Sequence, residues 1–477
     1  MKPAMKHNLL LVSTISICFT FAGCKTVGPD YVVPASRLPE AFSATTAGND
    51  AGSEQIKEWW RHFGDAELSA LIADALTQNP DVAMADTRLR QSRAFQSIQD
   101  SATAPTVNAT GRVSKDTLSQ NGEQFANVPL KHPLVEFTNR QIGFDASWEI
   151  DFWGHQQRLS EAAGARTQAS VARMHDVQLV LVAEVARNYI EFRAAQQRLQ
   201  FAIENGRNYD ESLRLTQFAR QHGELNQLDV ERVQAQKNNF QASLPNFHQT
   251  MRQNIVALSN LTTLSLTELE QRLSHTSDLL PVPPPPAIGI PADLLVHRPD
   301  VQAAERDLAA ASADVGVAVS DLYPRFSLGG NAGWSSIGSD NLLQNASRGW
   351  SIGPQFTLPI LNGQRLQHQI KANQAVFDGA SANYKKVVLN AVGDVELALS
   401  RVGRSEESRQ QLLAALHLQQ QTLNRIQRQL TVGEVSRLTL IENRKLIASQ
   451  QDQILQAQMQ SLSGLIALYK ALGGGWY

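Results

Sequence analysis

The sequence predicts a mainly α protein with transmembrane β. It reads as a duplicated unit of long coiled-coil helices plus β-hairpins, four strands per chain, forming a trimeric 12-stranded β-barrel on an α-helical barrel. Three observations predict it. The chain repeats its own motifs at matched spacing. Two stretches alternate apolar and polar residues with period two. Two others run for almost 70 residues without proline and with heptad-like apolar spacing.

The repeat is visible by eye. Asn79-Pro80-Asp81-Val82 returns as Arg298-Pro299-Asp300-Val301, and a second proline follows each first one 25 residues later, at Pro105 and Pro324. His222-Gly223-Glu224-Leu225-Asn226-Gln227-Leu228 matches Val432-Gly433-Glu434-Val435-Ser436-Arg437-Leu438. The interval from Gly154 to Gly223 is 69 residues, and from Gly363 to Gly433 it is 70. Matched internal spacing over such lengths means two copies of one structural unit.

Residues 1–23 read as a signal peptide. Lys2 and Lys6 precede a mainly apolar run from Leu9 to Phe21, and Phe21-Ala22-Gly23-Cys24 ends it with small residues. That ending resembles a bacterial lipobox with Phe21 in place of the usual Leu. The resemblance implies cleavage before Cys24 and lipid on its sulfur and amine. Lys25 stands where Asp would signal inner-membrane retention, which favours the outer membrane. Cys18 leaves with the signal, so the two cysteines of the chain give neither a disulfide nor a thiolate site.

The net charge of −2 gives no sign of nucleic acid as a partner. Removing Lys2 and Lys6 from 43 basic residues leaves 41 against 45 acidic ones, a mature charge of about −4. No other run of about 18 apolar residues exists, so a membrane crossing by the mature chain has to use a β-barrel.

Residues 24–64 read as a lipidated N-terminal arm, with Trp59-Trp60 and Phe63 as its docking anchor. Helices of repeat 1 follow over 65–104. Asn79 cannot comfortably stay helical before Pro80, so one helix ends there and another starts with Pro80 in its first turn. Helices of repeat 2 occupy 293–323 in the same manner.

β-hairpin 1 is expected over 105–150 and β-hairpin 2 over 324–360. Val107, Ala109, Gly111 and Val113 alternate with polar residues, and Ile142, Phe144, Ala146 and Trp148 return. Phe326 to Trp334 and Ile352 to Leu358 repeat the pattern. Strands of about ten residues cross a bilayer when tilted. Outer loops are expected at about 114–140 and 335–349, differing by roughly ten residues.

Long helical hairpins are expected over 151–265 and 361–472. Leu179, Val182, Ala186 and Tyr189 keep heptad-like spacing, as do Val388, Ala391, Val395, Ala398 and Val402. A helix of 68 residues reaches about 100 Å. After Gly223 and Gly433 the chain turns and runs back as helices of about 40 residues, capped by Asn226 or Ser436. A Pro-rich linker spans 266–292, and a C-terminal tail spans 473–477.

Four strands leave two unpaired edges, which lipid does not tolerate. The smallest known outer-membrane barrels have about eight strands. The chain must therefore assemble with copies of itself, and a homotrimer supplies twelve strands. Enzyme readings find no support: HExxH, P-loop and GxSxG signatures are missing, no cofactor motif is present, and the eleven histidines are scattered. Gly329-Gly330-Asn331-Ala332-Gly333 is better explained by small residues in a barrel strand than by a phosphate loop.

Several motifs together resemble the outer-membrane efflux protein family (TolC-like), in its OprM/NodT-type lipoprotein branch. They are Gly23-Cys24 with Val27-Gly28-Pro29-Asp30-Tyr31, Trp59-Trp60 with Phe63, Asn79-Pro80-Asp81, Trp148-Glu149-Ile150-Asp151, His297-Arg298-Pro299-Asp300-Val301, Tyr323-Pro324 and Ala471-Leu472-Gly473-Gly474-Gly475-Trp476. The resemblance implies an outer-membrane exit duct of a tripartite efflux pump for small molecules such as drugs. It also implies a periplasmic adaptor, an inner-membrane transporter and outer-membrane lipid as partners, with the helical barrel in the periplasm.

The resemblance further implies that the tips Gly223, Glu224, Gly433 and Glu434 contact the adaptor. A periplasmic gate would lie just behind them. Leu438 would form an apolar constriction there, and Glu442 would pair with Lys445 or Arg444. Leu228, Asp229 and Arg232 occupy the matching turn of the first half. Glu442 stands where the family often has Asp. Two alternatives share features of the sequence: an exit duct of a type I protein secretion system, and a periplasmic coiled-coil scaffold lipoprotein that never crosses the membrane.

Overall fold

Residues 26–34, 58–118, 135–286 and 297–474 are described by the structure, a computed structural model. The signal segment, Cys24, most of the first outer loop, the end of the polyproline linker and Trp476 lie outside the described residues. The chain divides into two compact units. One comprises Met1–Pro34, Arg90–Gln168 and Arg306–Ala382; the other comprises Ala35–Leu89, Ala169–Glu305 and Asn383–Tyr477.

The first unit holds the sheet. Strands β1 (Thr106–Leu118), β2 (Val135–Ile150), β3 (Arg325–Ser336) and β4 (Arg348–Thr357) pair antiparallel in the order β1-β2-β3-β4. The two hairpins are thus one continuous sheet, joined across β2 and β3. The register sorts side chains by face. Ala109, Phe144, Ala332 and Trp350 stand in one row, and Gly111, Ile142 and Trp334 in the next. Asn108, Asp145, Asn331 and Ser351 form a row on the opposite face. There Asn108 donates to Asp145 at 3.1 Å and Asn331 to Ser351 at 3.0 Å. One face is a hydrogen-bonded polar surface; the other exposes Phe144, Ile352, Trp350 and Phe356.

The strands extend past the expected loop limits. β1 runs to Leu118 and β2 begins at Val135, so 114–118 and 135–140 are strand rather than loop; the second loop is also shorter than 335–349. Alternation of polarity fades beyond the apolar band because both faces meet water there, but backbone pairing continues. Lys115 and Glu136 form a cross-strand ion pair at 3.0 Å in this region.

The N-terminal arm docks in the same unit through its Gly28-Pro29-Asp30-Tyr31 motif. Gly28 has φ +89°, and a Cβ there would lie 2.5 Å from the Cα of Gly316. Asp30 accepts from the buried Arg158 guanidinium at 2.6 Å, and Glu161 takes its other arm at 2.7 Å. Tyr31 packs on Ala165, Ala309 and Ala310. The arm therefore supplies an anion and an aromatic ring to a surface of small residues.

The second unit contains the main core. Trp59, Trp60 and Phe63 form a 3₁₀ turn whose three rings are buried. Trp59 stacks on Tyr469 at 5.2 Å and meets Phe63 edge-on at 6.0 Å. Around them pack α1 (Ala66–Gln78), Leu258, Leu269 and the Val185–Phe192 stretch of the long helix α3 (His155–Gln221). The expected anchor role of these aromatics has this packing as its physical basis.

The proline bends share one device. Asn79 is extended at φ −66°, ψ 129°, as its following proline requires, and Pro80 opens α2 (Pro80–Ser101). Asn79 accepts from the Asp81 N–H at 2.8 Å and donates to the Leu261 carbonyl at 2.9 Å. Leu261 lies one residue from the end of α5 (Leu244–Thr262). In the second copy Pro299 opens α7 (Pro299–Ser320). Arg298 donates to the Ala471 carbonyl at 2.9 Å, at the last residue of α9 (Arg437–Ala471). In each half the residue before proline ties the bend to the end of that half's own returning helix.

Both long helices are unbroken. α3 and α8 (Arg365–Thr431) each have 67 residues. The return differs from the expected pair of similar helices of about 40. In the second half α9 is continuous over 35 residues. In the first half the return splits into α4 (Gln227–Gln241) and α5. Pro245 in the first turn of α5 has no N–H to give and its ring crowds the Gln241 carbonyl, so the helix breaks at Ala242–Ser243. The expected linker 266–292 also begins with a helix, α6 (Leu266–Arg272). Ser265 accepts from the Glu268 N–H at 3.2 Å, so Ser265-Leu266-Thr267-Glu268 is a helix start that composition alone concealed. Leu269 and Leu273 then bury against the core.

Candidate functional site

The two helix tips are built alike. Gly223 has φ +75° and Gly433 has φ +78°, left-handed values that favour glycine. The Glu224 N–H donates to the Ala219 carbonyl at 2.9 Å, and the Glu434 N–H donates to the Gln429 carbonyl at 2.9 Å. These bonds close the last turns of α3 and α8. The next helix starts within three residues: Asn226 accepts from the Asp229 N–H at 3.0 Å, and Ser436 accepts from the Thr439 N–H at 3.2 Å. Gly223, Glu224, Gly433 and Glu434 are all exposed. A tip this short leaves two carboxylates and bare backbone available to a partner.

Behind the second tip the structure brings Glu442 and Lys445 together at 2.6 Å. The Lys445 side chain is 7% exposed and Glu442 is 51% exposed. The ammonium also sits 4.7 Å from the centre of the Tyr209 ring on α3. Ser212, one turn along α3, donates to Glu442 at 3.2 Å. Burial, reinforced by the nearby Glu442 charge, raises the Tyr209 pKa. Tyr209 stacks on Phe240 of α4 at 4.4 Å, and Lys237 of α4 pairs with Asp210 at 2.7 Å. Lys445 and Glu442 thus tie α9 to α3 through a ring and a hydroxyl, and Tyr209 and Asp210 in turn tie α3 to α4.

The other expected gate residues are placed differently. Leu438 is half-buried, whereas Leu440 and Ile441 are buried. Arg444 is exposed and, among the described residues, makes no ion pair with Glu442. Asp229 serves the helix start: it accepts from the Asn226 N–H at 3.1 Å, completing a capping box. Leu228 is 70% exposed. Arg232 is exposed, and among the described residues it makes no ion pair with Glu442. Sequence reading missed Ser212 and Tyr209. They stand 230 and 236 positions from their partners and carry no local signal. Asn443 is buried with its side-chain oxygen unpaired.

No described helix is long and apolar enough to cross a membrane. A sheet apolar on one face, polar on the other and open at both edges, with paired 67-residue helices, defines a channel-forming protein of mixed β and α construction. The chain belongs to the outer membrane efflux protein family, whose model matches residues 71–263 and 290–474. It is similar to the cation efflux system protein CusC of Escherichia coli, 30% identical over 467 residues, covering 96% of this chain and 97% of that one. It is also similar to the toluene efflux pump outer membrane protein TtgC of Pseudomonas putida, 29% identical over 474 residues, covering 98% and 96%. Among solved structures, the outer-membrane channel OprN aligns with a TM-score of 0.85 and 30% identity, covering 94% of this chain and 99% of that one. The protein is an outer-membrane efflux channel. The scaffold reading fails on the sheet, which a protein confined to the periplasm does not need.

Proposed function

We propose that three copies of this chain close β4 of one against β1 of the next, forming a twelve-stranded barrel that is the exit duct of a tripartite pump. The open edges of the four-stranded sheet carry this reading. β1 and β4 each have one partner strand, and their exposed apolar face belongs in lipid, where unpaired backbone is not tolerated. The polar face then lines the duct. Lipid on Cys24 anchors the N-terminus, and the arm docked by Asp30 and Arg158 fixes its path.

The exposed tips suit a periplasmic adaptor coupled to an inner-membrane transporter. The names of similar proteins range from cations to toluene. Cargo choice in such assemblies therefore belongs to the transporter, and the duct passes small molecules of varied chemistry. In planar bilayers the purified protein should produce discrete single-channel steps; a protein that inserts without conducting would refute the duct.

The Glu442–Lys445–Tyr209 link is the gate element. Glu442 is half exposed, so the link contributes about 1 kcal/mol and remains reversible. Glu442→Gln is expected to raise the open fraction about fivefold, the equilibrium equivalent of that energy. Arg232→Ala should leave it near wild type. Single-channel recordings check both; unchanged gating in Glu442→Gln would remove the assignment.

A further inference from the structure

The apolar face of the sheet ends differently at its two ends. Where the strands join the helices, the final rows are Trp148 with Leu328 and Ile150 with Phe326 and Phe356. At the loop end Trp334 stands opposite Arg348, and Arg140 stands opposite Val113 and Ser336. Counting in twos along β2 from Ile142 puts Arg140 on the apolar face; counting along β4 from Trp350 puts Arg348 there. Trp350, next to Arg348 on that face, is 71% exposed. Arg140 donates to the Ile337 carbonyl at 3.2 Å. Neither arginine forms an ion pair among the described residues. Lys115, on the same face, is neutralised by Glu136. Among the described residues, each chain thus has two guanidinium groups without an ion-pair partner at one end of its lipid-facing surface and none at the other.

We propose that Arg140 and Arg348 bind the phosphate groups of an outer-leaflet glycolipid of the lipid A class. The proposal rests on the barrel reading above, which turns this face to the membrane. Tryptophans at Trp334 and Trp350 mark the level where an aromatic girdle meets head groups. Arg348, level with Trp334, and Arg140, one row beyond it, meet phosphate there. A guanidinium presents two parallel N–H donors that match two phosphate oxygens. The one-ended placement selects the outer leaflet, because an inner-leaflet phospholipid would meet Phe326 and Phe356 instead. Three chains give a rim of six arginines.

The test uses the full lipidated assembly in mild detergent, titrated with lipid A and, separately, with phosphatidylglycerol, with thermal stabilisation as the readout. Wild type should bind lipid A clearly more tightly than phosphatidylglycerol. Arg140→Gln with Arg348→Gln should weaken lipid A binding about 30-fold, and Arg348→Gln alone about fivefold. The single variant changes an exposed side chain and so keeps the test available if the double variant does not assemble. Unchanged lipid A binding in either variant overturns the proposal; phosphatidylglycerol binding as tightly as lipid A overturns the glycolipid as its source. Channel steps in phosphatidylcholine bilayers report the barrel separately. Normal conductance with lost lipid A binding supports the site, whereas absent conductance in wild type counts against the duct itself.

Discussion

Trp59→Ala is expected to destabilise the second unit by about 3–5 kcal/mol, the largest effect of any single truncation in its core. Trp59 is fully buried, and its ring joins the 3₁₀ turn to Tyr469 on the returning helix α9. Removing it leaves a large cavity between elements that come from both ends of the sequence, and rigid helices cannot close it. Trp59→Phe separates packing from polarity. The indole nitrogen is buried without a hydrogen-bond partner, so phenylalanine removes volume and also removes an unsatisfied donor. Its cost should be about 1–2 kcal/mol. Shifts in the denaturant midpoint, followed by helical circular dichroism, measure both. Equal effects of the two variants would mean that ring packing does not dominate.

Arg298→Ala is expected to cost about 2–4 kcal/mol. The guanidinium grips Asp300 through two bonds at 3.0 and 2.8 Å, reaches Asp394 at 3.1 Å and donates to the end of α9. A cation at a helix C-terminus also complements the helix dipole. Asp394 is half exposed, so water takes over part of what is lost there, which places the estimate below the full penalty for stranding a buried charge. Asp176 responds as well. Its pKa is raised by burial and then by Asp300, and lowered by Lys470 and Arg298. Taking Arg298 away removes one of its two compensating cations. Asn79→Ala, the matching change in the first half, removes only neutral hydrogen bonds and should cost about 1–2 kcal/mol. The predicted order, Arg298 above Asn79, is checked by the same midpoint measurements. A reversed order would mean that the charged bonds of Arg298 do not hold its bend more firmly than the neutral bonds of Asn79 hold the other.

The architecture was legible because its signals are local and periodic. Proline forces its neighbour out of helix, so Asn79 and Arg298 marked bends before their partners were known. Glycine at Gly223 and Gly433 sits where left-handed backbone is required, so the tips could be placed to the residue. Period-two alternation located all four strands, but it could not locate their ends, where neither face is lipid-exposed. The break at Pro245 and the helix start at Ser265 were also local signals, hidden inside a pattern that composition favoured as uniform.

The site was less legible. Glu442 and Lys445 lie on one helical face, so their pairing follows from spacing of three. That Lys445 is buried against Tyr209 does not, because the contact depends on how α3 and α9 pack. For Asp229 the local signal was there to be read: its position three residues after Asn226 makes it the second half of a capping box. The order β1-β2-β3-β4 is likewise beyond sequence alternation, which gives two hairpins without saying that β2 pairs with β3.

The number of copies decides the account, because four strands per chain make closure a matter of counting. A dimer would give eight strands, a barrel whose interior side chains fill it and leave no duct. Native mass spectrometry of the protein extracted from outer membranes in mild detergent gives the count directly. Three copies in one assembly, converting to monomer only on heating, is the predicted result; a monomer or a dimer as the membrane-extracted species would contradict it.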